Sequence, residues 1–443
     1  MPPRYLPRIC VRLAKVISIA TWMTWSLTNE IYLSAHNLDN MAYTSSHLDS
    51  YQGDTKMKIM LLSNPPWLAT GYGKQIKLLY PRLLAAGHQV AITPISGHTG
   101  GILEVEGLSV YPTFGDPVGQ NMVAANARHF GADFILSLTD VYIQTPETYG
   151  GLPWAAWFPA DHDTMPPHVA ENLRKSFFPI AMSRFGHKQA EDNGIEAAYI
   201  PHAVDLDVFQ PESKIEARRF FGWNEEAFIV GMVAANKGLR KAFPEHLEAF
   251  KFFQNNYTDA ALYIHASAGR RGSALELDLD AAAHFLGLRD VIFPDQYRYL
   301  LGYSEAEMRH VYNAMDVHMV VSMGEGFGVP QLEAQACGTP VICGNWTAMP
   351  ELCFNGWKVS NFKRSWSSQN AYQFLPDSIS TAGKLEEAYR SIKDGRKWKR
   401  GWMEKIEEYD INTVFKKYWL PALEQIEGKL KAPRPVPGLE MIR

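Results

Sequence analysis

The sequence predicts an α/β protein of two similar domains, each a parallel sheet covered by helices. From Met57 onward, short apolar runs typical of buried strands alternate with amphipathic helical segments, and this order favours parallel sheets with helices on both faces. The series starts afresh after a connector over 201–211, so we expect one domain over 57–205 and a second over 206–410. With 443 residues, 46% hydrophobic and 20% charged, the chain has the composition of an ordinary globular protein of two or three domains.

Charge and cysteine content argue against several classes of protein. The net charge is −4, so no overall basic field favours nucleic acid or an anionic membrane. None of the four cysteines has the spacing of a metal site, and we expect reduced thiols in a reducing compartment at Cys10, Cys337, Cys343 and Cys353.

The first 56 residues stand apart from the rest of the chain. Basic residues precede an apolar run over 16–27, which is shorter than the roughly 20 residues that a bilayer-spanning helix needs. Three interpretations are open: a mis-assigned extension before a start at Met57, a disordered or peripheral arm, and a signal peptide. We favour the first, since the first globular strand begins only at Met57.

The first domain is expected to open with a strand at 59–63, a loop over 64–73 and then a helix. Apolar residues of that helix fall on one face, and Gly87 suits its C-terminal stop. The further strands predicted for this domain are 90–93, 134–138, 154–158, 180–183 and 198–201.

The second domain shows the same alternation. Its predicted strands are 228–235, 262–266, 291–293, 317–322 and 340–343, and its predicted helices are 244–253, 304–315 and 330–337. Ser304 and Glu307 have the spacing of a capping box. Pro421 predicts a kink or break in the terminal helical segment, 411–430, and the Pro-rich tail over 431–443 is expected to be mobile.

A glycine-rich segment after the strand at 317–322 is the strongest chemical signal. Its glycines, Gly324, Gly326 and Gly328, allow the backbone to approach a ligand closely. Pro330 suits the first turn of the following helix, where its missing N–H costs nothing. The loop amides and the positive end of that helix therefore predict an anion site suited to a diphosphate.

Two glutamates flank this predicted anion site. Glu325 lies at the strand end, and Glu333 lies in the first two turns of the helix. Carboxylates beside a phosphate site cannot serve to attract phosphate. They suit hydrogen bonds from sugar and ribose hydroxyls.

Basic residues follow the first strand of the second domain. Asn236 and Lys237 come directly after that strand, and Arg240 and Lys241 follow shortly. Cations in this place are suited to holding a leaving phosphate, and stabilising its developing charge is where most of the rate enhancement is expected. We favour Arg240 and Lys241, with Lys237 in reserve; solvated surface charge is the alternative.

Polar residues also follow two strands of the first domain. Asp140, Asp161 and His162 come after apolar runs, at the edge where such sheets present site residues. A role in a turn or as a helix cap remains an equal alternative for each.

The segment from Glu325 to Val341 resembles the E-x7-E signature of family 4 retaining glycosyltransferases, including the Gly-Thr-Pro-Val that follows the helix. The resemblance covers roughly 58–430. It implies the GT-B fold, in which two Rossmann-like domains face each other and a C-terminal helix crosses back to the first domain.

The resemblance also implies roles for the candidate residues. Glu325 would contact the transferred sugar and Glu333 the ribose, with the diphosphate over the amides of Phe327, Gly328 and Val329. Arg240 and Lys241 would neutralise the leaving phosphate, although Met232 stands where the family usually has its arginine. Asn236 and Lys237 are counted with the donor-binding residues.

In the first domain, Gly71 and Gly73 are similar to the family's N-terminal glycine loop, which lies over the donor phosphates and the acceptor. Asp161 and His162 would lie near the sugar or the acceptor, and His202 would pack structurally at the cleft floor.

The function implied is transfer of a sugar from a nucleotide-sugar donor, such as a UDP- or GDP-sugar, with retention of configuration. The resemblance implies no metal and no cofactor, and we discount Asp278 and Asp280 as metal ligands because they lie in a charged helical stretch. A cytoplasmic location follows from where bacterial donors are found. Alternatives are a sugar-nucleotide epimerase or phosphorylase of the same fold, and a non-catalytic sugar-nucleotide-binding protein.

The acceptor and the oligomeric state are not identified by the sequence. A glycan, a lipid, a small molecule and a modified nucleobase all remain open as acceptors. The cluster over 396–402 is basic with interleaved aromatic residues, which suits weak contact with nucleic acid or anionic lipid. A solvated helix end is the favoured alternative.

Overall fold

The fold is built on two large sheets of mainly parallel strands. A computed structural model describes the chain over residues 56–269, 276–395 and 401–432. The expected N-terminal extension up to residue 55, the tail beyond 432 and the basic residues 396–400 lie outside the described residues. Within those residues, no helix combines the length and the apolar character that crossing a bilayer requires.

The first sheet has eight strands. They are β1 (Lys58–Ser63), β2 (Gln89–Pro94), β3 (Leu103–Val105), β4 (Leu108–Val110), β5 (Phe134–Leu138), β6 (Trp154–Phe158), β7 (Phe178–Ala181) and β8 (Ala198–Tyr199). Their order is β3–β4–β2–β1–β5–β6–β7–β8, and all pairs are parallel except β3 with β4. The central strands are buried along almost their whole length, as expected for a parallel sheet with both faces covered.

Four helices accompany this sheet: α1 (Gly71–Ala85), α2 (Gln120–Phe130), α3 (Pro167–Arg174) and α4 (Arg184–Asp192). Two short 3₁₀ segments, Val141–Ile143 and Pro146–Tyr149, follow β5. The expectation that the first helix follows Gly73 was wrong. Thr70 caps the helix earlier, because its hydroxyl accepts a hydrogen bond from the backbone N–H of Gly73 at 3.0 Å.

The second sheet has six parallel strands. They are β9 (Phe228–Val233), β10 (Ala260–His265), β11 (Val291–Ile292), β12 (Val317–Val320), β13 (Val341–Gly344) and β14 (Gly356–Val359). Their order is β11–β10–β9–β12–β13–β14. The first half of the chain and this half therefore each contain a parallel sheet, as predicted.

The helices of the second half include the one that ends the glycine-rich segment. They are α5 (Lys214–Phe221), α6 (Phe243–Gln254), α7 (Leu279–Phe285), α8 (Gln296–Leu301), α9 (Glu305–Ala314), α10 (Val329–Ala336) and α11 (Ser378–Lys393), with a 3₁₀ segment at Met349–Leu352. The predicted capping box of Ser304 and Glu307 is confirmed at the start of α9.

A small antiparallel hairpin was not predicted. It consists of β15 (Phe362–Trp366) and β16 (Tyr372–Pro376). The backbone N–H of Phe374 donates to the carbonyl of Met323 at 2.9 Å, and the N–H of Asp163 in the first domain donates to the carbonyl of Tyr372 at 2.7 Å. The hairpin thus connects the end of β12 with the loop after β6.

The last segments that the structure describes contact the first domain. They are α12 (Trp402–Glu407), α13 (Ile411–Val414), a π-helical turn (Phe415–Trp419) and α14 (Leu420–Lys431). The π turn ends at Trp419, and the helix continues through Leu420 and Pro421. The chain therefore does not break at Pro421, and a kink there stays a prediction. Trp419 contacts Trp157 edge to face at 4.9 Å, and Arg82 donates to the side chain of Asn412. The terminal helix therefore returns to the first domain, as expected.

Candidate active site

The loops that follow the strands of the two sheets meet closely in a cleft. A methyl group added to Gly324 would lie 2.0 Å from the carbonyl oxygen of Asp161. One added to Gly326 would lie 2.4 Å from Cβ of Pro159. Only glycine permits such an approach, so the glycine-rich segment of the second domain lies directly on the loop after β6 of the first.

Further contacts join the two domains beside this point. Glu351 accepts hydrogen bonds from the backbone N–H groups of Arg184 and Phe185, at the start of α4. Lys77 on α1 lies 2.9 Å from Glu305 on α9. Burial raises the pKa of Glu351 to about 7, although the two backbone donors oppose this shift. The cleft is therefore closed by charged as well as backbone contacts.

Glu325 lies at the centre of the cleft between two cations. Its Oε1 accepts a hydrogen bond from Lys241 Nζ at 2.5 Å, and its Oε2 accepts one from Arg240 at 3.1 Å. The carboxylate is only 7% exposed. Arg240 also donates to the carbonyl of Gly324 at 2.7 Å, and the Glu325 backbone N–H donates to Thr347. Residues predicted from two motifs thus form one cluster, in which Glu325 and Lys241 are largely buried and Arg240 is 38% exposed.

Glu325 and Arg240 stabilise each other's charge, whereas burial lowers the pKa of Lys241 although the charge of Glu325 opposes this shift. Burial alone would raise the pKa of Glu325, but the charges of Lys241 and Arg240 outweigh it and lower the pKa to about 2. Burial likewise disfavours the charge of Arg240, but Glu325 and Asp161 raise its pKa above the ordinary value. Glu325 is therefore ionised at neutral pH and cannot act as a general acid.

The polar residues of the first domain adjoin this cluster. His162 Nδ1 lies 2.7 Å from one oxygen of Asp161, whose other oxygen lies 3.6 Å from Arg240 Nε. Burial opposes ionisation of Asp161, but His162 and Arg240 together lower its pKa. Asp140 accepts a hydrogen bond from the Tyr72 hydroxyl at 3.2 Å, and burial followed by the charge of Asp161 raises the pKa of Asp140.

Glu333, on α10, is buried at the other end of the glycine-rich segment. Its Oε1 accepts a hydrogen bond from Lys74 Nζ at 2.7 Å, and its Oε2 accepts one from the Tyr312 hydroxyl at 2.6 Å. Lys74 belongs to α1 of the first domain, whereas Tyr312 belongs to α9 of the second. The second predicted carboxylate is thus also paired with a cation, and this pair spans the cleft.

The start of α10 has the geometry of an anion site. Gly328 has a φ of +113°, which favours glycine, and the helix begins at the next residue, Val329. Pro330 has no N–H, and the N–H groups of Gln331 and Leu332 donate to the carbonyl of Gly328. The backbone N–H groups with which an anion could bond here are therefore those of residues 327–329.

Phe327 is buried with its ring 5.2 Å from His202, which contacts Trp157 at 4.6 Å. His202 therefore packs between Phe327 of the glycine-rich segment and Trp157 of β6, and burial lowers its pKa to about 3.

Three residues predicted to contact the donor, Gly71, Gly73 and Asn236, have different surroundings in the structure, and their role in donor binding stays a prediction. A methyl group on Gly73 would lie 2.3 Å from the carbonyl oxygen of Leu68, so Gly73 is required by local backbone packing within the first turn of α1. Gly71 is the first residue of that helix and has nothing within 4 Å of its added methyl position. Asn236 uses its side-chain amide to hold the backbone of Ser267 and Leu277, which leaves it little capacity for a ligand.

Lys237 is exposed in the loop after β9. Among the described residues, the cleft ion pairs of Glu325 are made by Arg240 and Lys241 and do not include Lys237. Sequence reasoning missed Lys74 and Tyr312, which lie in ordinary helical patterns, and Tyr72, which it assigned to a loop. Each of the three meets the site only through a tertiary contact. It also missed the hairpin β15–β16. The exposed aromatic residues of that hairpin, such as Trp366, were the available signal.

No group of three or more histidine, cysteine, aspartate or glutamate side chains within the described part of the chain is placed to hold a metal ion. Asp278 caps α7, where its carboxylate accepts a hydrogen bond from the N–H of Ala281 at 2.9 Å. Cys337, Cys343 and Cys353 are free thiols.

Comparison with known proteins finds a family match within the second half of the chain. Residues 227–367 match the model of the family described as Glycosyl transferases group 1. The D-inositol 3-phosphate glycosyltransferase of Actinosynnema mirum is 31% identical over 162 residues, which are 35% of this chain and 37% of that protein. The chain thus matches little more than a third of this curated relative's length.

Solved structures of similar fold cover far more of the chain. Sucrose-phosphate synthase from Thermosynechococcus elongatus superposes with a TM-score of 0.61 over 84% of this chain and 98% of its own, at 16% identity. Anabaena HepE in complex with UDP-glucose gives a TM-score of 0.58 over 84% of this chain and all of its own, at 15% identity. The expected GT-B fold is confirmed.

Proposed function

We propose that this chain is a retaining glycosyltransferase that transfers a sugar from a nucleotide-sugar donor to a hydroxyl acceptor, because residues 227–367 match the Glycosyl transferases group 1 family and the fold is GT-B. The observation that carries the proposal is the cluster of Glu325, Arg240 and Lys241 beside the start of α10. A cation pair next to the backbone amides that lead into the helix suits a diphosphate, and a carboxylate between the cations suits sugar hydroxyls.

The proposed donor lies on the second domain. Its diphosphate would accept hydrogen bonds from the amides at 327–329, and Arg240 and Lys241 would neutralise the charge that develops on the leaving phosphate. Glu333 would accept from the ribose hydroxyls after release from Lys74. A solved neighbour is described as a complex with UDP-glucose, which supports a nucleotide sugar as the ligand class.

Retention is taken from the resemblance of the segment 325–341 to retaining glycosyltransferases, and the chemistry of the cluster bears only on how it would be achieved. Glu325 is held between two cations, so its charge is already compensated and it is a poor nucleophile. We therefore favour substitution on one face of the sugar. The acceptor oxygen bonds to the anomeric carbon, the bond from that carbon to the phosphate oxygen breaks, and the acceptor proton passes to the departing phosphate.

The first test is nucleotide release from UDP-, GDP-, ADP- and dTDP-sugars, with and without a crude acceptor extract, before and after dialysis against EDTA. Release from one donor that rises with the extract and survives EDTA supports a metal-independent transferase. NMR of the product then gives the anomeric configuration, and an inverted product would refute retention.

The same assay separates the alternatives. An epimerase would convert the donor without an acceptor, and a phosphorylase would require inorganic phosphate. Binding of a donor without turnover would indicate a binding protein. We place the activity in the cytoplasm, where nucleotide sugars are made in bacteria.

A further inference from the structure

His246, near the start of α6, is a buried histidine close in the chain to the two cations of the charge cluster. It is only 1% exposed, and it follows Arg240 and Lys241, which lie in the loop that leads into the helix. A buried imidazole costs free energy unless its nitrogens are hydrogen-bonded. The partners of the ring therefore indicate what this side chain does.

Both ring nitrogens of His246 bond to backbone groups. Nδ1 lies 2.6 Å from the carbonyl oxygen of Ala242, and the backbone N–H of Val321 donates to Nε2 at 2.9 Å. A carbonyl only accepts and a backbone N–H only donates, so Nδ1 carries the proton and Nε2 does not. The ring is therefore neutral and in a single tautomer. Burial has the same effect, because it lowers the pKa of His246 to about 4.

The two backbone groups belong to the two segments that form the cluster. Ala242 directly follows Lys241, whose Nζ lies 2.5 Å from the carboxylate of Glu325. Val321 directly follows β12, in the segment that leads to Glu325. The ring of His246 thus bridges the loop that carries the cations and the strand end that carries the carboxylate.

The turn that His246 holds has an unfavourable backbone conformation. Ala242 has a φ of +48° and a ψ of +40°, in the left-handed region that favours glycine, and it is fully buried. Such a conformation persists only where the surrounding structure fixes it. The carbonyl of Ala242 accepts from the backbone N–H of His246 at 3.0 Å as well as from its ring. This side chain therefore helps to fix the turn directly after Lys241.

Arg240 is attached to the same strand end by bonds of its own. Its carbonyl accepts from the N–H of Met323 at 2.7 Å, and its guanidinium donates to the carbonyl of Gly324 at 2.7 Å. The turn on the other side of Lys241 is bonded to the strand end through His246. A change at His246 is therefore expected to displace Lys241 more than Arg240.

We propose that His246 is a positioning residue of the active site, which holds Lys241 beside Glu325 by bridging the backbone on either side of the cluster. The inference rests on the proposed function, in which Lys241 neutralises the leaving phosphate. Because both ring nitrogens are used by backbone groups, neither is left for a substrate. His246 therefore acts through Lys241.

Three variants separate the two bonds of the ring. His246→Asn places an amide N–H near the position of Nδ1 and can still donate to Ala242. His246→Gln places an amide oxygen near the position of Nε2 and can still accept from Val321. His246→Leu removes both bonds and keeps the site apolar. In the nucleotide-release assay we expect kcat to fall about tenfold in His246→Leu and about threefold in each amide variant, because small displacements of a reacting group lower the rate steeply.

His88→Gln is the matched control. His88 is a buried histidine of the first domain, and its Nδ1 accepts a hydrogen bond from the backbone N–H of Met57 at 3.2 Å. Met57 directly precedes β1, at the end of the first sheet opposite the cleft. The control should lower the melting temperature and leave kcat at the wild-type value.

A double-mutant cycle separates the positioning of Lys241 from a general loss of stability. In Lys241→Met the cation that His246 holds is absent, so adding His246→Leu should lower the melting temperature but should not lower kcat further. An equal fall of kcat in both backgrounds would overturn the proposal, as would wild-type kcat in a folded His246→Leu variant. If His246→Leu does not fold, His246→Asn and His246→Gln supply the cycle.

The same cycle in binding keeps this inference separate from the proposed function. Inorganic pyrophosphate contains the diphosphate without a base or a sugar, and its binding is followed by phosphorus NMR. Its Kd should rise about threefold in His246→Leu, since a charge-assisted hydrogen bond is displaced, and should not rise in the Lys241→Met background.

The two proposals fail differently. Sugar transfer with equal effects of His246→Leu in both backgrounds refutes the positioning role and leaves the transferase proposal intact. A protein that releases no nucleotide from any donor, but shows the expected cycle with pyrophosphate, refutes the transferase proposal and leaves the placement of Lys241 by His246 intact. A protein that neither releases nucleotide nor binds pyrophosphate refutes both.

Discussion

Replacing Glu325 by glutamine should change nucleotide binding and sugar transfer in opposite directions. The amide keeps the shape of the carboxylate but removes the charge that neutralises Lys241 and Arg240. A diphosphate that binds the wild-type protein must compete with this carboxylate for the two cations, whereas in Glu325→Gln it meets them uncompensated. The variant should therefore bind nucleoside diphosphates more tightly and transfer sugar more slowly.

The size of the effect follows from the pKa of Glu325. A pKa of about 2, compared with an ordinary 4.5, corresponds to on the order of 3 kcal/mol in favour of the ionised carboxylate. Rehydration of the cations recovers part of this energy, so we expect nucleotide affinity to rise about tenfold to a hundredfold. Turnover should fall about 10²- to 10³-fold, since a charge interaction with the reacting sugar is lost.

Isothermal titration with UDP, GDP and ADP measures the first effect, and nucleotide release under saturating donor measures the second. Glu387→Gln is the matched control, because Glu387 forms an exposed ion pair with Lys384 on α11. If Glu325→Gln binds every nucleotide more weakly while its circular dichroism and melting are those of the wild type, the competition argument is wrong.

The same carboxylate gives a check through acid stability. Its folded pKa lies below its unfolded value, so its contribution to stability is fully present above about pH 4.5 and is lost as the pH falls towards 2. The wild type should therefore lose more stability than Glu325→Gln over this interval in chemical denaturation. Equal losses would contradict the ion pairing.

Three further predictions follow from the contacts of the cleft. Lys241→Met should lower turnover about 10²-fold and weaken nucleotide binding, whereas Lys384→Met on the surface should leave both at wild-type values in the release assay. Gly324→Ala should slow transfer and lower the melting temperature, because its methyl group would lie 2.0 Å from the carbonyl oxygen of Asp161; unchanged melting would mean that the two domains do not close in this way. Glu351 has a pKa raised to about 7 in the folded protein, so its contribution to stability is present at low pH and is lost as the pH rises from about 4.5 through 7. Glu351→Gln should reduce this loss, which is measured as the difference in melting temperature between pH 5 and pH 8.

The parts of the fold that were predictable are those in which burial alone determines the pattern. The strands Phe134–Leu138 and Trp154–Phe158 are fully buried apolar runs, and their predicted limits were confirmed to the residue. The hairpin at 362–376 was missed because its first strand, Phe362–Trp366, carries charged residues and is largely exposed. Its stability comes from pairing with the loop after β6, a contact that no local pattern encodes.

The candidate site was predictable in its residue types but not in its pairings. The spacing of Glu325 and Glu333, and the basic residues after the strand, marked segments that the structure brings together in the cleft. The partner of Glu333 is Lys74, which lies 259 residues away on a helix of the other domain. Nothing local distinguishes that lysine from Lys77, which pairs with a different acid near the cleft. Such pairings depend on how the two domains face each other, and this is a tertiary property.

These pairings also affect how a donor would bind. Each glutamate expected to bind donor hydroxyls is paired with a cation in the structure. Glu325 is paired with Lys241 of its own domain, and Glu333 is paired with Lys74 of the other domain. A buried carboxylate left without a partner would cost several kcal/mol, so the cations keep an empty cleft stable. Donor binding is then an exchange of one set of charge-assisted hydrogen bonds for another. Because the Lys74 pair spans the cleft, a ribose that takes over Glu333 would also release a contact that holds the two domains together, and this couples donor binding to movement of the first domain.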